Sequence, residues 1–308
     1  MTDIAEFALQ RVALATGVEL DIVDTGPKDA PALIFLHGFP ESHRTWREQI
    51  GVYAKDYRVI APDQRGYCQS SKPEGVENYT PDKIAADVFA IADALGVDRF
   101  TVIGHDWGGA IAWLVALMGG PKEAGGNGRV ERLVILNAPH PYKFQQAVFD
   151  DEGQRAASQY IRDFRDPAND ALIAEQGIIG MLMKAVRWER STALTGEESA
   201  LMLRNWQEPG AAMGMLNWYR ATQLVVPAMG EEAERPALLD APFPTIAVPT
   251  LVIWATGDLA LRPCLIEGLD DYVADLTLVK VPDCGHFVPW EAPGAVNAAM
   301  SDWLAKTA

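Results

Sequence analysis

Residues 100–118, FTVIGHDWGGAIAWLVALM, change period with almost no linker. The apolar stretch 100–103 reads as a buried strand, and 109–118 reads as a helix. Only Gly104-His105-Asp106-Trp107-Gly108 joins them. A strand that turns this sharply into a helix exposes the central residue of the turn at the end of a sheet, where G-x-S-x-G sequences hold a serine. Here that residue is Asp106. An aspartate capping a helix is ordinary on its own, so its meaning depends on the rest of the chain.

The surrounding sequence repeats the pattern. ALIFLHG (32–38), YRVIAPD (57–63) and VERLVILNAP (130–139) are short apolar runs that read as strands. Thr80 and Pro81 open a helix whose apolar residues Ile84, Val88, Ile91 and Leu95 recur every three or four positions until Gly96 stops it. Strands alternating with helices form βαβ units and a mostly parallel sheet flanked by helices. GGPKEAGGNG (119–128) reads as a surface loop. From about 141 to 244, strand-like runs give way to stretches such as IIGMLMKAVRW and MGMLNWYRATQLV. VPTLVIWATGD (248–258) and DLTLVKVPDCGH (275–286) resume the strand pattern, and PGAVNAAMSDWLA (293–305) closes with a helix. The expected organisation is an α/β core at 1–140 and 245–308, split by a helical cap at 141–244.

With 308 residues and 49% hydrophobic side chains, the chain has material for a large core and such an insertion. Its 26 basic and 42 acidic side chains leave a net charge of −16, which repels phosphate backbones and anionic lipid. Neither nucleic acid nor a membrane surface is an expected partner. No apolar run approaches the roughly 18 residues of a membrane span. The N-terminus MTDIAEFALQ lacks the basic and apolar parts of a signal peptide. Cys68, Cys264 and Cys284 show no CxxC spacing and fit reduced thiols, so a cytoplasmic protein is expected.

Two later positions give Asp106 a context. Asp258 follows one strand, and His286, in Asp283-Cys284-Gly285-His286, follows the next. Nucleophile, acid, histidine is the chain order of the α/β-hydrolase triad. Asp283 is too near His286 in sequence to be the preferred orienting acid, and Asn137, after the preceding strand, is not acidic. Asp258 remains, with a plain turn aspartate as the alternative reading. His37, His43, His105 and His140 read as hydrogen-bonding and packing residues. No two histidines stand at metal-ligand spacing with a third donor, so no metal is expected.

HGFPESHRTW (37–46), DQRGYCQS (63–70), GHDWGG (104–109), NWYR (217–220), GD after a strand (257–258) and DCGHF (283–287) together resemble the epoxide hydrolases of the α/β-hydrolase fold. The resemblance covers nearly the whole chain. It implies an α/β-hydrolase fold with an inserted helical lid, and an enzyme that converts an apolar epoxide to a vicinal diol. It implies Asp106 as nucleophile, His286 as general base and Asp258 as the acid that orients the histidine. It assigns the oxyanion hole to the backbone N–H groups of Phe39 and Trp107. It makes Tyr160 and Tyr219 the donors to the epoxide oxygen, Tyr219 by its place in NWYR and Tyr160 by its place ahead of a proline.

An ionised carboxylate suits this chemistry. It attacks a saturated carbon without needing a base, and the ester it forms has a carbonyl for water to attack. A serine would leave an ether that water cannot open. Trp107, Phe39, Trp188 and Met215 are the expected substrate-lining residues, and Met181, Met183 and Met213 belong to the same apolar group. No cofactor is expected. Epoxide and water are the expected partners, and a homodimer is left open.

Two other readings stand beside this one. A haloalkane or haloacid dehalogenase uses the same Asp-His-Asp logic but needs donors for a departing halide. Trp107 suits that need, Phe39 stands where such enzymes carry Asn, and Trp188, Trp206 and Trp218 keep open a halide site built from cap tryptophans. Fluoroacetate-type dehalogenases carry arginines just after the nucleophile, where this chain has Trp107 and Ala110. A non-catalytic ligand-binding protein on the same fold is the remaining reading, disfavoured by three chemically competent triad positions. One departure from the family pattern is Cys68, at the second glycine of the D-x-R-G-x-G-x-S turn, where a positive φ would strain a residue with a Cβ.

Overall fold

The computed structural model describes residues 7–179, 182 and 194–307. Among them eight strands form one sheet: β1 (Leu9–Ala13), β2 (Glu19–Thr25), β3 (Ala32–Leu36), β4 (Arg58–Pro62), β5 (Phe100–His105), β6 (Val130–Leu136), β7 (Thr250–Ala255) and β8 (Leu276–Val281). Their order is β1-β2-β4-β3-β5-β6-β7-β8. Every pairing from β4 to β8 is parallel, while β1 with β2 and β2 with β4 are antiparallel. The mostly parallel sheet expected from the sequence is present. The β1–β2 hairpin was not among the expected strands. It lies at the sheet edge, where β2 is buried only in part, and so carries no continuous apolar run.

Strands β3, β4, β5 and β7 are buried at every position, because helices cover both faces. Alternate residues serve opposite layers. Ile34, Leu36, Val102 and Val252 join one core cluster with α2 (Pro81–Ala94) and α3 (Asp106–Gly119), which follow α1 (Arg47–Tyr53) in the chain. Leu33, Phe35, Ile103 and Ile253 join the other cluster, with Ile50 of α1 and with Val296, Met300 and Leu304 near the C-terminus.

Between β6 and β7 the chain leaves the sheet. It forms α4 (Pro141–Asp150), α5 (Glu152–Ala157), α6 (Tyr160–Arg165), α7 (Ala168–Gln176), α8 (Gly196–Trp206) and α9 (Ala211–Arg220). It then returns through a largely irregular segment with one short 3-10 turn, Ala237–Asp240. After β8 come α10 (Val288–Glu291) and α11 (Pro293–Lys306). No helix among the described residues is long and apolar enough to cross a membrane.

The inserted helices are fastened to loops at the C-terminal ends of the strands. The Trp206 indole N–H donates to the Pro40 carbonyl at 2.7 Å, and the Trp218 indole N–H donates to the Arg65 carbonyl at 3.0 Å. Arg44 grips Glu198 with two hydrogen bonds, the Nε bond at 2.7 Å. Gly214 of α9 lies so close to the loop that a Cβ there would sit 2.7 Å from the Gly66 Cα. These contacts correct one expectation. The indole N–H groups of Trp206 and Trp218 are spent on backbone carbonyls, so neither is free to hold a halide. Trp188, the other cap tryptophan in that reading, lies outside the described residues.

The Cys68 turn forms despite the substituted glycine. Cys68 is buried at φ 49°, in the left-handed region, and Gly66 N–H still donates to Ser71 O at 2.9 Å.

Candidate active site

Strand β5 runs to His105 and α3 begins at Asp106, so strand and helix meet with no linker at all. Asp106 absorbs the change of direction with φ 50°, a conformation that a non-glycine residue adopts only when its surroundings enforce it. Close packing supplies the enforcement. A Cβ at Gly108 would lie 2.1 Å from the Leu36 carbonyl oxygen, so only glycine lets α3 approach β3. The turn pushes the Asp106 carboxylate out at the C-terminal end of the sheet, where ligands of open parallel sheets bind.

Residues from five strand ends converge there. The Phe39 N–H, in the loop after β3, donates to Asp106 Oδ1 at 2.8 Å. His286, after β8, places Nε2 3.4 Å from Asp106 Oδ2. Its other nitrogen, Nδ1, lies 2.7 Å from Oδ2 of Asp258, which follows β7. Since a carboxylate accepts, Nδ1 carries the proton in that bond. Asp258 is fully buried, yet its acceptors are filled. Oδ1 takes the N–H groups of Ala260 at 2.8 Å and Leu261 at 3.0 Å, and Oδ2 takes Asn137 Nδ2–H at 2.9 Å. Asn137, after β6, also accepts the Ala255 N–H at 2.7 Å, which ties the ends of β6 and β7 together.

Asn137 is not the orienting acid but supports it, a role that no motif in the sequence announces. Its own φ of 38° marks the position as special. Asp283 also has a positive φ, 55°, and serves as the turn residue before His286 rather than its partner.

These charges set the protonation of the site. Burial works against a charged His286, but the Asp258 charge and the hydrogen bonds to Asp106 and Asp258 outweigh it. The imidazole is held well above its ordinary 6.5. Burial would raise the Asp258 carboxyl, yet the His286 charge and its hydrogen bonds hold it below its usual value.

A second, wholly buried pair lies behind the first. His105 Nδ1 is 2.7 Å from Glu41 Oε2, and His105 Nε2 is 2.8 Å from the His286 carbonyl oxygen. Glu41 Oε1 accepts the Trp290 indole N–H at 2.9 Å, and Oε2 accepts the Gly38 N–H at 3.2 Å. Burial would raise the Glu41 carboxyl, but the His105 charge and hydrogen bond bring it down to about 2. Each His105 nitrogen thus faces an oxygen acceptor. His105 has the hydrogen-bonding and packing role expected of it, and Glu41 has a role that was not expected. The adjoining residues of HGFPE and GHDWGG are the only local signal of the pair.

The inserted helices contribute an aromatic ceiling. The Tyr219 ring of α9 meets Phe39 at 5.0 Å and Trp107 at 5.0 Å, both edge-on, and Phe164 at 4.9 Å. Tyr160, the first residue of α6, lies 6.1 Å from Tyr219. Burial raises both phenols well above 10, and the negative charge of Asp106 raises them further. Met215 is buried one helical turn before Tyr219. Of the other expected lining residues, Trp107 and Phe39 are at the site. Trp188, Met181 and Met183 lie outside the described residues.

Known proteins resemble this chain along most of its length. A family model described as the alpha/beta hydrolase fold matches residues 31–293. The AB hydrolase superfamily protein YfhM of Bacillus subtilis (strain 168) is 32% identical over 290 residues, covering 94% of this chain and 95% of that protein. Epoxide hydrolase 1 of Caenorhabditis elegans is 30% identical over 298 residues, covering 94% and 68%. A solved structure from work on novel epoxide hydrolases in metagenomes from hot environments is 56% identical, with a TM-score of 0.89 over 97% of this chain and 99% of that one. The Bacillus megaterium epoxide hydrolase, solved in complex with an inhibitor, is 26% identical, with a TM-score of 0.81 over 96% and 100%.

Proposed function

The chain belongs to the α/β-hydrolase fold family, and we propose that it is an epoxide hydrolase acting through a covalent ester on Asp106. One observation carries the proposal. A carboxylate held by a backbone N–H on one oxygen and facing a histidine with the other lies beneath buried Tyr219 and partly buried Tyr160, both from inserted helices. The insertion at 141–244 then acts as a cap. The epoxide hydrolases among its relatives support the substrate assignment.

The steps follow from the two oxygens of Asp106. Oδ2 attacks a ring carbon, the C–O bond of the epoxide breaks, and an alkoxide forms. Tyr160 and Tyr219 are raised phenols and hold their protons at neutral pH, so one of them protonates the more basic alkoxide. Oδ1 is now the carbonyl oxygen of an alkyl ester, beside the Phe39 N–H. Water attacks Cγ and passes a proton to His286 Nε2. Charge builds on Oδ1, where the N–H groups of Phe39 and Trp107 form the oxyanion hole. The Cγ–Oδ2 bond breaks, the departing alkoxide takes the proton from His286, and the diol leaves. The carboxylic acid left on Asp106 ionises, and that proton recharges His286, whose own proton had already restored the tyrosine.

The same arrangement times the base. In the resting site two carboxylates hold His286 in its charged form. Alkylation neutralises Asp106 and leaves only Asp258 to favour the charge. The imidazolium then gives its Nε2 proton to the tyrosinate left by protonation of the alkoxide, which frees it as a base before water attacks.

Incubation with an aryl epoxide and, separately, with a terminal bromoalkane tests the assignment. Diol without bromide is expected. Bromide without diol would transfer the site to dehalogenation. The apolar and aromatic ceiling fits hydrophobic epoxides. The three free cysteines fit a reducing, cytoplasmic compartment.

A further inference from the structure

Two arginines outside the catalytic machinery join the helices that carry the two tyrosines. Arg165, the last residue of α6, donates Nε–H to the Tyr219 carbonyl at 2.8 Å and Nη1–H to the Leu224 carbonyl at 2.5 Å, and also bonds the Thr222 hydroxyl. Arg220, the last residue of α9, donates Nε–H to the Phe164 carbonyl at 3.2 Å. Its remaining nitrogens bond Asp170, Nη1 at 3.2 Å and Nη2 at 2.5 Å. Each arginine follows in sequence the residue whose carbonyl the other one holds. Arginines in a last helical turn ordinarily serve their own helix end. These two serve each other's.

Arg165 is unusual in a second way. It has no carboxylate partner among the described residues, and burial lowers its pKa. Its bonds go to carbonyl and hydroxyl groups at and just beyond the C-terminus of α9. A half-buried guanidinium held only by neutral acceptors is a costly way to fill space, and its fixed planar fork makes it a precise spacer.

We propose that Arg165 and Arg220 are positioning residues, forming a reciprocal clasp that sets the separation of the Tyr160 and Tyr219 hydroxyls. The proposal rests on the epoxide reading. Two phenols can donate to one epoxide oxygen only if their hydroxyls lie within a few ångströms of each other, and hydrogen bonds weaken steeply away from their preferred length and angle. The two rings sit on separate helices with centroids 6.1 Å apart. Through the clasp, the backbone one residue before each arginine is held by the opposite helix. The Tyr219 carbonyl is itself one of the two held groups, and Tyr160 lies on the same short helix as the other.

The test separates the two chemical steps. In rapid mixing with an aryl epoxide, Arg165→Gln is expected to slow ester formation about tenfold to hundredfold, the scale of a misplaced reacting group. Ester breakdown, which uses Asp106, His286 and Asp258, is expected to change by less than about twofold. In a Tyr160→Phe background only one phenol remains to be placed, so the added effect of Arg165→Gln on ester formation is expected to shrink to about threefold or less. Arg165→Lys is expected to recover part of the loss. Should Arg165→Gln fail to fold, Arg220→Lys, which keeps a charge beside Asp170 but loses the Phe164 bond, provides the same readings. Unchanged ester formation in the variants, or equal slowing of both steps with full additivity to Tyr160→Phe, would overturn the clasp alone. Absence of any ester or diol with the wild-type protein would overturn the epoxide reading and the clasp with it.

Discussion

The Nε2 atom of His286 lies 3.4 Å from Asp106 Oδ2, while Asp106 Oδ1 is already held by the Phe39 N–H at 2.8 Å. The two oxygens of one carboxylate are therefore distinguished before substrate arrives. In the proposed mechanism Oδ2 attacks and Oδ1 becomes the carbonyl.

Replacing His286 by Gln removes the base for ester breakdown and leaves the nucleophile in place. The variant is expected to gain the mass of one aryl epoxide and to lose diol turnover by roughly 100- to 10,000-fold, the range for a general base. Intact mass spectrometry after mixing with excess epoxide reads it directly. Full turnover with no added mass would remove His286 from the role of base. In the wild-type protein, ester breakdown is expected to slow as pH falls, because His286 then keeps its proton, while ester formation does not.

Tyr219→Phe and Tyr160→Phe are each expected to slow ester formation by roughly 100-fold, since a weak acid is lost where an alkoxide develops. Burial, then neighbouring negative charge, keeps both phenols protonated well beyond pH 10. Ester formation should therefore show no loss of the acid through neutral and mildly alkaline pH. Stopped-flow measurement across that range checks both statements. A double variant as fast as wild type would place the acid elsewhere.

Glu41→Ala leaves the buried His105 ring without its carboxylate partner. Breaking such a pair costs about 3–5 kcal/mol, which urea denaturation can measure. The His286 carbonyl loses its firm anchor as well, so turnover is expected to fall more than tenfold in the folded variant. For wild type, the Glu41 carboxyl titrates at about 2 in the folded chain and 4.5 when free. Its contribution to stability is complete above pH 4.5 and is lost as pH falls from there toward 2.

His140 opens α4 with its ring against Trp113 at 5.2 Å, Phe243 at 4.5 Å and, stacked, Tyr272 at 5.1 Å. Neither ring nitrogen has a hydrogen-bond partner among the described residues. Burial, then the Lys143 charge, lowers its pKa from 6.5 to about 4. The folded state holds this ring neutral, so stability is complete above pH 6.5 and declines by about 3 kcal/mol as pH falls to 4. His140→Phe keeps the aromatic contacts and removes both unpaired nitrogens. It is expected to leave the melting temperature at pH 7 equal or higher and to raise it by a few degrees at pH 5. A variant whose melting temperature follows the wild-type pH profile would contradict this.

The sheet and the meeting of Asp106, Asp258 and His286 at its end were legible because their signals are local. Apolar runs end in turns, and Asp106, Asp258 and His286 each follow such a run. The Glu41–His105 and Asn137–Asp258 bonds were not, since they join residues 64 and 121 positions apart. A polar side chain beside a strand end looks alike whether it faces solvent or a buried partner. The tryptophans show the limit from the other side. Composition offered Trp206 and Trp218 as free N–H donors, and only the fold reveals that backbone carbonyls already occupy them. The β1–β2 hairpin escaped because an edge exposed to water needs no continuous apolar run.

Trp206 is bonded to the carbonyl of Pro40, the residue directly after the one whose N–H holds Asp106. A movement that lifted α8 would pull on Pro40 and, through it, draw Phe39 away from the nucleophile. The expected consequence is an interlock. With the helix raised the carboxylate loses a donor that its charged transition state needs, and with the helix seated the donor returns.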